Sequence, residues 1–224
     1  MIALRPYQSA TIEALRDGIR AGHRRQIVCS PTGSGKTEVA MALTQEAVNK
    51  FSKTAFICDR IAILDQTSAR FDLHRLAHGI VQSGHWRFRP WEHAQICSAQ
   101  TLARRGVMEG LKLIIVDECH TLYAATTKFL LANPEIITIG LSASPFHKGL
   151  GEIYSNIINV TTTNKLIEEG FLCPLKIYAA KAIVSRWCWL TKWPGNPASS
   201  LALSSERRPD ARLSVSDMKI SPSL

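Results

Sequence analysis

No stretch of this chain approaches the ~18 consecutive apolar residues that a membrane-spanning helix needs, so no membrane partner is expected. The opening Met1-Ile2-Ala3-Leu4-Arg5-Pro6 has no apolar signal core, which points to a cytoplasmic protein. Cysteine is sparse and scattered. Cys29, Cys58, Cys97, Cys119, Cys173 and Cys188 stand singly with no C-x-x-C pair, against the usual spacing of zinc and dithiol sites. Four of them fall in or beside predicted strands and are expected to be small buried hydrophobes. There is no internal repeat. Acidic residues are the minority: 18 Asp and Glu against 27 Lys and Arg leave a formal charge of +9. That excess suits a polyanionic partner, although a merely basic, soluble surface gives the same number. With 46% hydrophobic and 20% charged residues, the 224-residue chain reads as globular, with room for one domain and a tail.

What the chain does have is Pro31-Thr32-Gly33-Ser34-Gly35-Lys36-Thr37. Before it, Gln26-Ile27-Val28-Cys29 reads as a short buried strand; after it, 38–50 reads as a helix. Backbone N–H groups at such a turn point outward and form an anion cradle. Gly33 and Gly35 permit a tight turn around phosphate, Lys36 can reach the β/γ-phosphates, and the Thr37 hydroxyl can hold Mg²⁺. The match is to the short end of the G-x-G-K-T pattern, with Pro31 where the longer pattern has its first glycine. An ordinary glycine turn is the alternative until a partner motif is found.

That partner is Leu111-Lys112-Leu113-Ile114-Ile115-Val116, an apolar β-branched run ending in Asp117-Glu118-Cys119-His120. The run reads as a central parallel strand buried on both faces. An acidic pair at its carboxyl end sits where open α/β sheets bind ligands. Asp117 would hold Mg²⁺ through its water shell, and Glu118 would orient or deprotonate the attacking water. The competing reading is a carboxylate pair capping a helix at Thr121. The expectation is that Lys36, Asp117 and Glu118 converge on one metal-bound triphosphate from neighbouring strand ends.

Around these motifs, strands are predicted at 26–29, 53–58, 77–81, 95–98, 111–116 and 136–141. Helices are predicted over much of 1–24, at 38–50 and 61–72, from 99, and at 124–131. With the two motifs, this alternation implies an α/β P-loop NTPase fold with a mostly parallel central sheet and helices on both faces. The loop from Gly84 to His93 mixes Arg87 and Arg89 with Trp86 and Trp91, as strand-binding surfaces do; loop anchoring explains it equally well. Beyond about 183 the composition turns Trp-, Ser-, Pro- and Arg-rich without periodicity. The domain expected is 1–180, with 181–224 an irregular, divergent tail.

Seven segments in order resemble the first motor lobe of superfamily 2 helicases and translocases, in the DExH branch of phage and bacterial type that remodels duplex DNA. They are Leu4 to Gln8, Pro31 to Thr37, Phe56 to Gln66, Ile96 to Leu102, Asp117 to His120, Ser142-Ala143-Ser144 and Lys165 to Leu172. Ser144 departs from the family's usual threonine but keeps the hydroxyl.

The resemblance implies an ATP-binding lobe that couples hydrolysis to movement on, or unwinding of, duplex DNA. ATP and Mg²⁺ are the implied cofactors. Arg5, Tyr7 and Gln8 would fix the adenine ring, and Pro31, Thr32, Gly33, Ser34, Gly35, Lys36 and Thr37 the phosphates. Thr37 and Asp117 would hold the metal; Glu118, Lys36 and Asp117 would serve catalysis. His120, with Ser142 and Ser144, would relay nucleotide state to the nucleic-acid side. Arg60, Gln100, Thr101, Arg104 and Arg105 would meet the strand, DNA in preference to RNA. Nothing after 180 resembles the family's second lobe, so a truncated motor that hydrolyses slowly by itself is expected, with half of a split motor whose second RecA-like lobe is separately encoded, or a regulatory single-lobe protein, as the alternatives. The alternative is a non-catalytic single-lobe DNA-binding or adaptor protein.

Overall fold

Short β-branched runs alternate with helices, and each strand sends successive side chains to opposite faces of one sheet. The computed structural model describes residues 3–58, 61–82, 84–98, 100, 101, 104, 110–121 and 123–174. In chain order these form α1 (Pro6–Arg20), β1 (Arg25–Cys29), α2 (Lys36–Asn49), β2 (Lys53–Cys58), α3 (Ile61–Leu73), β3 (His78–Val81), β4 (Ala94–Ser98) and β5 (Leu111–Val116). Then follow α4 (Ala124–Ala132), β6 (Ile137–Ser142), α5 (Leu150–Ile153), β7 (Asn156–Ile158) and α6 (Thr163–Glu168). The strands pair in the order β3-β4-β2-β5-β6-β1-β7, and every described pair is parallel. Among the described residues no helix is long and apolar enough to cross a membrane.

Two cores follow from the period of two along each strand. Val28, Phe56, Leu113, Ile115 and Leu141 face one side, where Leu15 of α1, Met41 of α2 and Phe71 of α3 close over them. Ile27, Ile57, Ile114 and Val116 face the other side, against Leu130 of α4 and Ile153 of α5. The sheet is therefore flanked by helices on both faces, the layered arrangement of a RecA-like P-loop NTPase lobe. Cys58, Cys97 and Cys119 are buried in these layers, and burial pushes each thiol up to about 12, so they are inert packing groups.

The β3 edge is covered by the 84–93 loop rather than left open. Ile80 N–H donates to the Arg87 carbonyl at 2.9 Å, and the Gln95 amide donates to the Arg89 carbonyl at 2.8 Å. Arg87 anchors the loop: its Nη1 lies 2.7 Å from Asp72 Oδ1, 2.8 Å from His78 Nε2 and 3.1 Å from Ser68 Oγ, which share its two N–H groups. Burial pushes the His78 imidazole down, keeping its ring neutral so that Nε2 can accept. Trp86 and Trp91 remain 75% and 69% exposed on the outside of this cover.

Three elements were absent from the sequence expectation: α5, β7 and α6. The short α5 and β7 carry too few residues for a period to register; β7 pairs with β1 from Gln26↔Asn156 to Val28↔Ile158. Asn156 donates to Gln26 Oε1 at 2.8 Å while Gln26 donates to the Leu15 carbonyl at 2.9 Å, satisfying a buried amide between sheet and α1. The helix after the phosphate loop also begins two residues earlier than expected, at Lys36. The chain divides into Met1–Leu175 and Lys176–Leu224. The second unit lies outside the described residues, and with it the expected boundary at 180, the 181–224 tail and Trp187, Trp189 and Trp193.

Candidate nucleotide site

Beyond β1, Ser30 N–H still donates to the Ser142 carbonyl of β6 at 3.1 Å, and the chain then turns sharply. Ser34 N–H closes the turn on the Pro31 carbonyl at 3.1 Å, and the Ser30 hydroxyl donates to Ser34 Oγ at 2.7 Å. The Ser34 side chain is thus buried inside the loop, where it shapes the turn. Gly35 caps α2 with φ +79°, and a Cβ built there would stand 2.5 Å from Gln8 Nε2. Both the left-handed backbone and the close approach require glycine. Among the described residues no backbone acceptor takes the N–H groups of Gly33, Gly35, Lys36 or Thr37. They form a cluster of free donors at the positive end of a 14-residue helix, which fits an anionic phosphate group. Thr32 and Gly33 are exposed on its rim, with Pro31 half-buried beside them.

Lys36 folds back over this turn, its Nζ donating to the Ser30 carbonyl at 3.0 Å and the Pro31 carbonyl at 3.3 Å. Burial lowers its proton affinity, while Glu118 and Asp117 pull it back up. The ammonium and both carboxylates therefore share one electrostatic neighbourhood. One expectation needs correction: β6 lies between β1 and β5, so the loop and the acidic pair leave alternate strand ends rather than adjacent ones. Ser142 ends that intervening strand.

The acidic pair is held by backbone bonds on each side. Asp117 N–H donates to the Ile57 carbonyl at 2.9 Å, and Cys119 N–H to the Leu141 carbonyl at 3.0 Å. Between them Glu118 adopts φ +47°, a left-handed conformation that costs a non-glycine residue about 1–2 kcal/mol. Its N–H donates to Asp117 Oδ1 at 3.1 Å. His120 Nδ1 lies 3.2 Å from Glu118 Oε2 and 3.0 Å from the Ser142 hydroxyl. Ser144 enters by its backbone, donating N–H to Ser142 Oγ at 3.1 Å, while its side chain is exposed. Among the described residues no three His, Cys, Asp or Glu gather as metal ligands. A divalent ion would have to draw on Thr37 and Asp117, with phosphate oxygens completing its shell, as suits Mg²⁺.

At the N-terminus, Tyr7 is buried and its hydroxyl donates to the Ser34 carbonyl at 2.6 Å. Gln8 Nε2 donates to the Ser34 carbonyl at 3.1 Å and the Gly35 carbonyl at 3.3 Å, while its Oε1 accepts the Arg5 N–H at 2.8 Å. Both ends of this amide grip the phosphate loop and its neighbour, so in this conformation Gln8 latches the loop. Arg5 Nη1 donates to Tyr7 Oη at 3.1 Å and its guanidinium lies 4.5 Å from the centre of the Phe171 ring.

On the nucleic-acid side, Gln100, Thr101 and Arg104 lie in helical backbone after β4, with Gln100 and Arg104 exposed. Thr101 N–H caps onto Ser98 Oγ at 3.2 Å. Arg60 and Arg105 lie outside the described residues. Ser30 and Phe171 entered no sequence-based site. Ser30 could have been found as the residue joining the strand to the loop; Phe171 falls in the seventh family-like segment, Lys165 to Leu172, but had no site role there because its partners come from the other end of the lobe.

The model of a family described as "Type III restriction enzyme, res subunit" matches residues 1–147. A 51.5 kDa protein of Lactococcus phage (isolate 7-9) is 26% identical over 162 residues, covering 70% of this chain and 33% of that protein. The chain thus spans a third or less of the curated relatives it matches. In structure, the UvsW helicase from bacteriophage T4 superimposes with a TM-score of 0.58 at 17% identity, covering 69% of this chain and 59% of that one. A nuclease-deletion mutant of the type ISP restriction-modification enzyme LlaGI, solved with a DNA substrate mimic, gives 0.61 at 16% identity, over 75% and 21%. These structural likenesses show a shared fold, a RecA-like α/β lobe with a parallel sheet.

Proposed function

Given that the chain belongs to the family of the type III restriction enzyme res subunit, we propose that residues 3–174 are the ATP-binding lobe of a nucleic-acid motor of the DExH kind, acting on DNA in preference to RNA. The observation that carries this is the shared neighbourhood of Lys36, Asp117 and Glu118 beside a cluster of unused backbone donors. The N–H groups of Gly33, Gly35, Lys36 and Thr37 bind and orient the triphosphate; Lys36 leaves its two carbonyls to meet the terminal phosphate. Thr37 and Asp117 would hold Mg²⁺, which would supply charge neutralisation at the phosphate oxygens. Glu118 takes the proton of the attacking water. His120, touching both Glu118 and Ser142, passes the change in the carboxylate to β6 and its following loop. Gln100, Thr101 and Arg104, with Arg60 and Arg105, contact the strand through its phosphodiester chain.

The lobe forms one wall of such a site. In two-lobed motors an arginine from the opposite wall is worth roughly 10³–10⁵ in rate. The full chain is therefore expected to bind MgATP and to turn it over slowly, with duplex DNA raising the rate more than RNA does. A steady-state assay of phosphate release, with and without each nucleic acid, together with MgATP titration, tests this. Absence of nucleotide binding would overturn the ATP-lobe reading. Fast DNA-stimulated turnover by this chain alone would overturn its dependence on a second lobe.

A further inference from the structure

The indole of Trp86 is held in place and yet left in solvent. The His85 ring stacks on it with centroids 5.9 Å apart at 25°, and the Arg87 guanidinium lies 4.7 Å from its ring centre. Both neighbours are themselves tied down. His85 Nδ1 accepts the Arg87 N–H at 3.0 Å, and its Nε2 lies 3.3 Å from Asp65 Oδ1 of α3. Arg87 is anchored by its contacts with Asp72, His78 and Ser68. The side chains of His85 and Arg87 are only 13% and 15% exposed. They therefore lie on the protein side of the indole, and the 75% of Trp86 that meets solvent is ring surface turned outward.

The position of this ring matters as much as its exposure. In the sheet order β3-β4-β2 the strands are parallel, so the chain leaves all three at one edge. Arg60 follows β2, and Gln100, Thr101 and Arg104 follow β4; these are the residues assigned to the phosphodiester chain. Trp86 follows β3, level with its end, because the next residue accepts the Ile80 N–H at 2.9 Å through its carbonyl. Through His85 it is also linked to Asp65 in α3, the helix that begins directly after Arg60 in sequence. Trp86 thus extends the row of strand contacts by one more strand end, and it adds an aromatic face to a row that is otherwise polar and basic. Arg89, exposed on the same cover, supplies positive charge beside it.

We infer that Trp86 is a stacking platform for an unpaired base of a DNA strand lying along the ends of β2, β4 and β3. Arg87 and His85 are positioning residues that act through the indole. Within a duplex each base already has a neighbour on both faces, so an indole at this edge takes a base that has left the stack. Stacking on a π-face is tolerant of sequence, which suits a motor that moves over any sequence. The inference rests on the proposed reading of the lobe as part of a nucleic-acid motor. It predicts a contribution that depends on bases and is separable from the contacts to phosphates.

The full chain and the variants Trp86→Ala and Trp86→Phe are titrated at low ionic strength into a labelled single DNA strand of mixed sequence, and into an abasic strand of the same length. Fluorescence anisotropy reads binding. Trp86→Ala is expected to weaken the strand that carries bases about five- to thirtyfold, the lower part of the range for a base on an aromatic ring, and to bind the abasic strand like wild type. Trp86→Phe, which keeps a smaller ring, is expected to fall between wild type and Trp86→Ala. Equal losses on both strands in Trp86→Ala would make Trp86 a support of the loop and overturn the inference, while leaving the motor reading intact. Unchanged affinity in Trp86→Ala would leave the indole to a protein surface and overturn it as well. If the wild-type chain bound MgATP but neither strand, the nucleic-acid part of the proposed function would fall and the inference with it.

Discussion

Replacing Lys36 with alanine is expected to lower the affinity for MgATP by about 10- to 100-fold while the fold survives. A hydrogen bond made by a charged donor contributes about 1.5–3 kcal/mol, and every 1.4 kcal/mol is a factor of ten. Lys36 is poised for that role, because its present partners are two backbone carbonyls, at 3.0 and 3.3 Å, that it can exchange for phosphate oxygens. Its loss also removes a positive charge that interacts favourably with Asp117 and Glu118, so an incoming triphosphate would meet a more negative site. Lys36→Arg is not expected to rescue: the half-buried stem has room for an ammonium, and the planar guanidinium is a different shape. Titration with a fluorescent ATP analogue measures the effect, and a thermal melt checks the fold. Wild-type affinity in Lys36→Ala would remove this side chain from the site.

Glu118→Gln is expected to act on turnover alone. General-base catalysis contributes about 10²–10⁴ in rate, and a neutral amide cannot take the proton of water. Binding should stay within about threefold of wild type, since phosphate recognition is assigned to the loop and Lys36. Glutamine keeps the size of the side chain and has the same difficulty with φ +47° as glutamate, so the backbone of Asp117 to His120 should not relax. The contact from His120 Nδ1 to Oε2 at 3.2 Å loses its ionic character but keeps an acceptor. Single-turnover hydrolysis of radiolabelled ATP at saturating MgATP separates the two effects. A variant that hydrolyses at the wild-type rate would show that Glu118 has another purpose, and one that fails to bind would place it in ground-state recognition.

Much of this lobe was legible because its strands are short, β-branched and buried on both faces. Leu111 to Val116 and Lys53 to Cys58 fall in β5 and β2 with unchanged bounds, since continuous apolar runs flanked by turn residues leave a parallel sheet as the natural solution. The loop and the acidic pair were legible as chemistry, being contiguous in sequence. What was hidden is three-dimensional. Nothing local signals that β6 intervenes between the loop and the acidic pair, that Glu118 is left-handed, or that Gln8 clasps the carbonyls of Ser34 and Gly35. The three residues of β7 carry no usable period, and Ile157, 55% exposed, reads as surface. For Arg87 the sequence left strand binding and loop anchoring equally open, because arginine beside tryptophan serves either. Its contacts with Asp72, His78 and Ser68 hold the loop over the β3 edge, the anchoring alternative.

Whether one triphosphate draws these groups together is settled most directly by a crystal structure of the chain with Mg²⁺, ADP and beryllium fluoride. The account predicts that the N–H groups of residues 33–37 surround the β-phosphate and that Lys36 Nζ has moved from Ser30 and Pro31 to the fluoride. It also predicts Thr37 and Asp117 on the metal side and Glu118 facing the position of the attacking water. Nucleotide density elsewhere, with Lys36 still bonded to its two carbonyls, would contradict it.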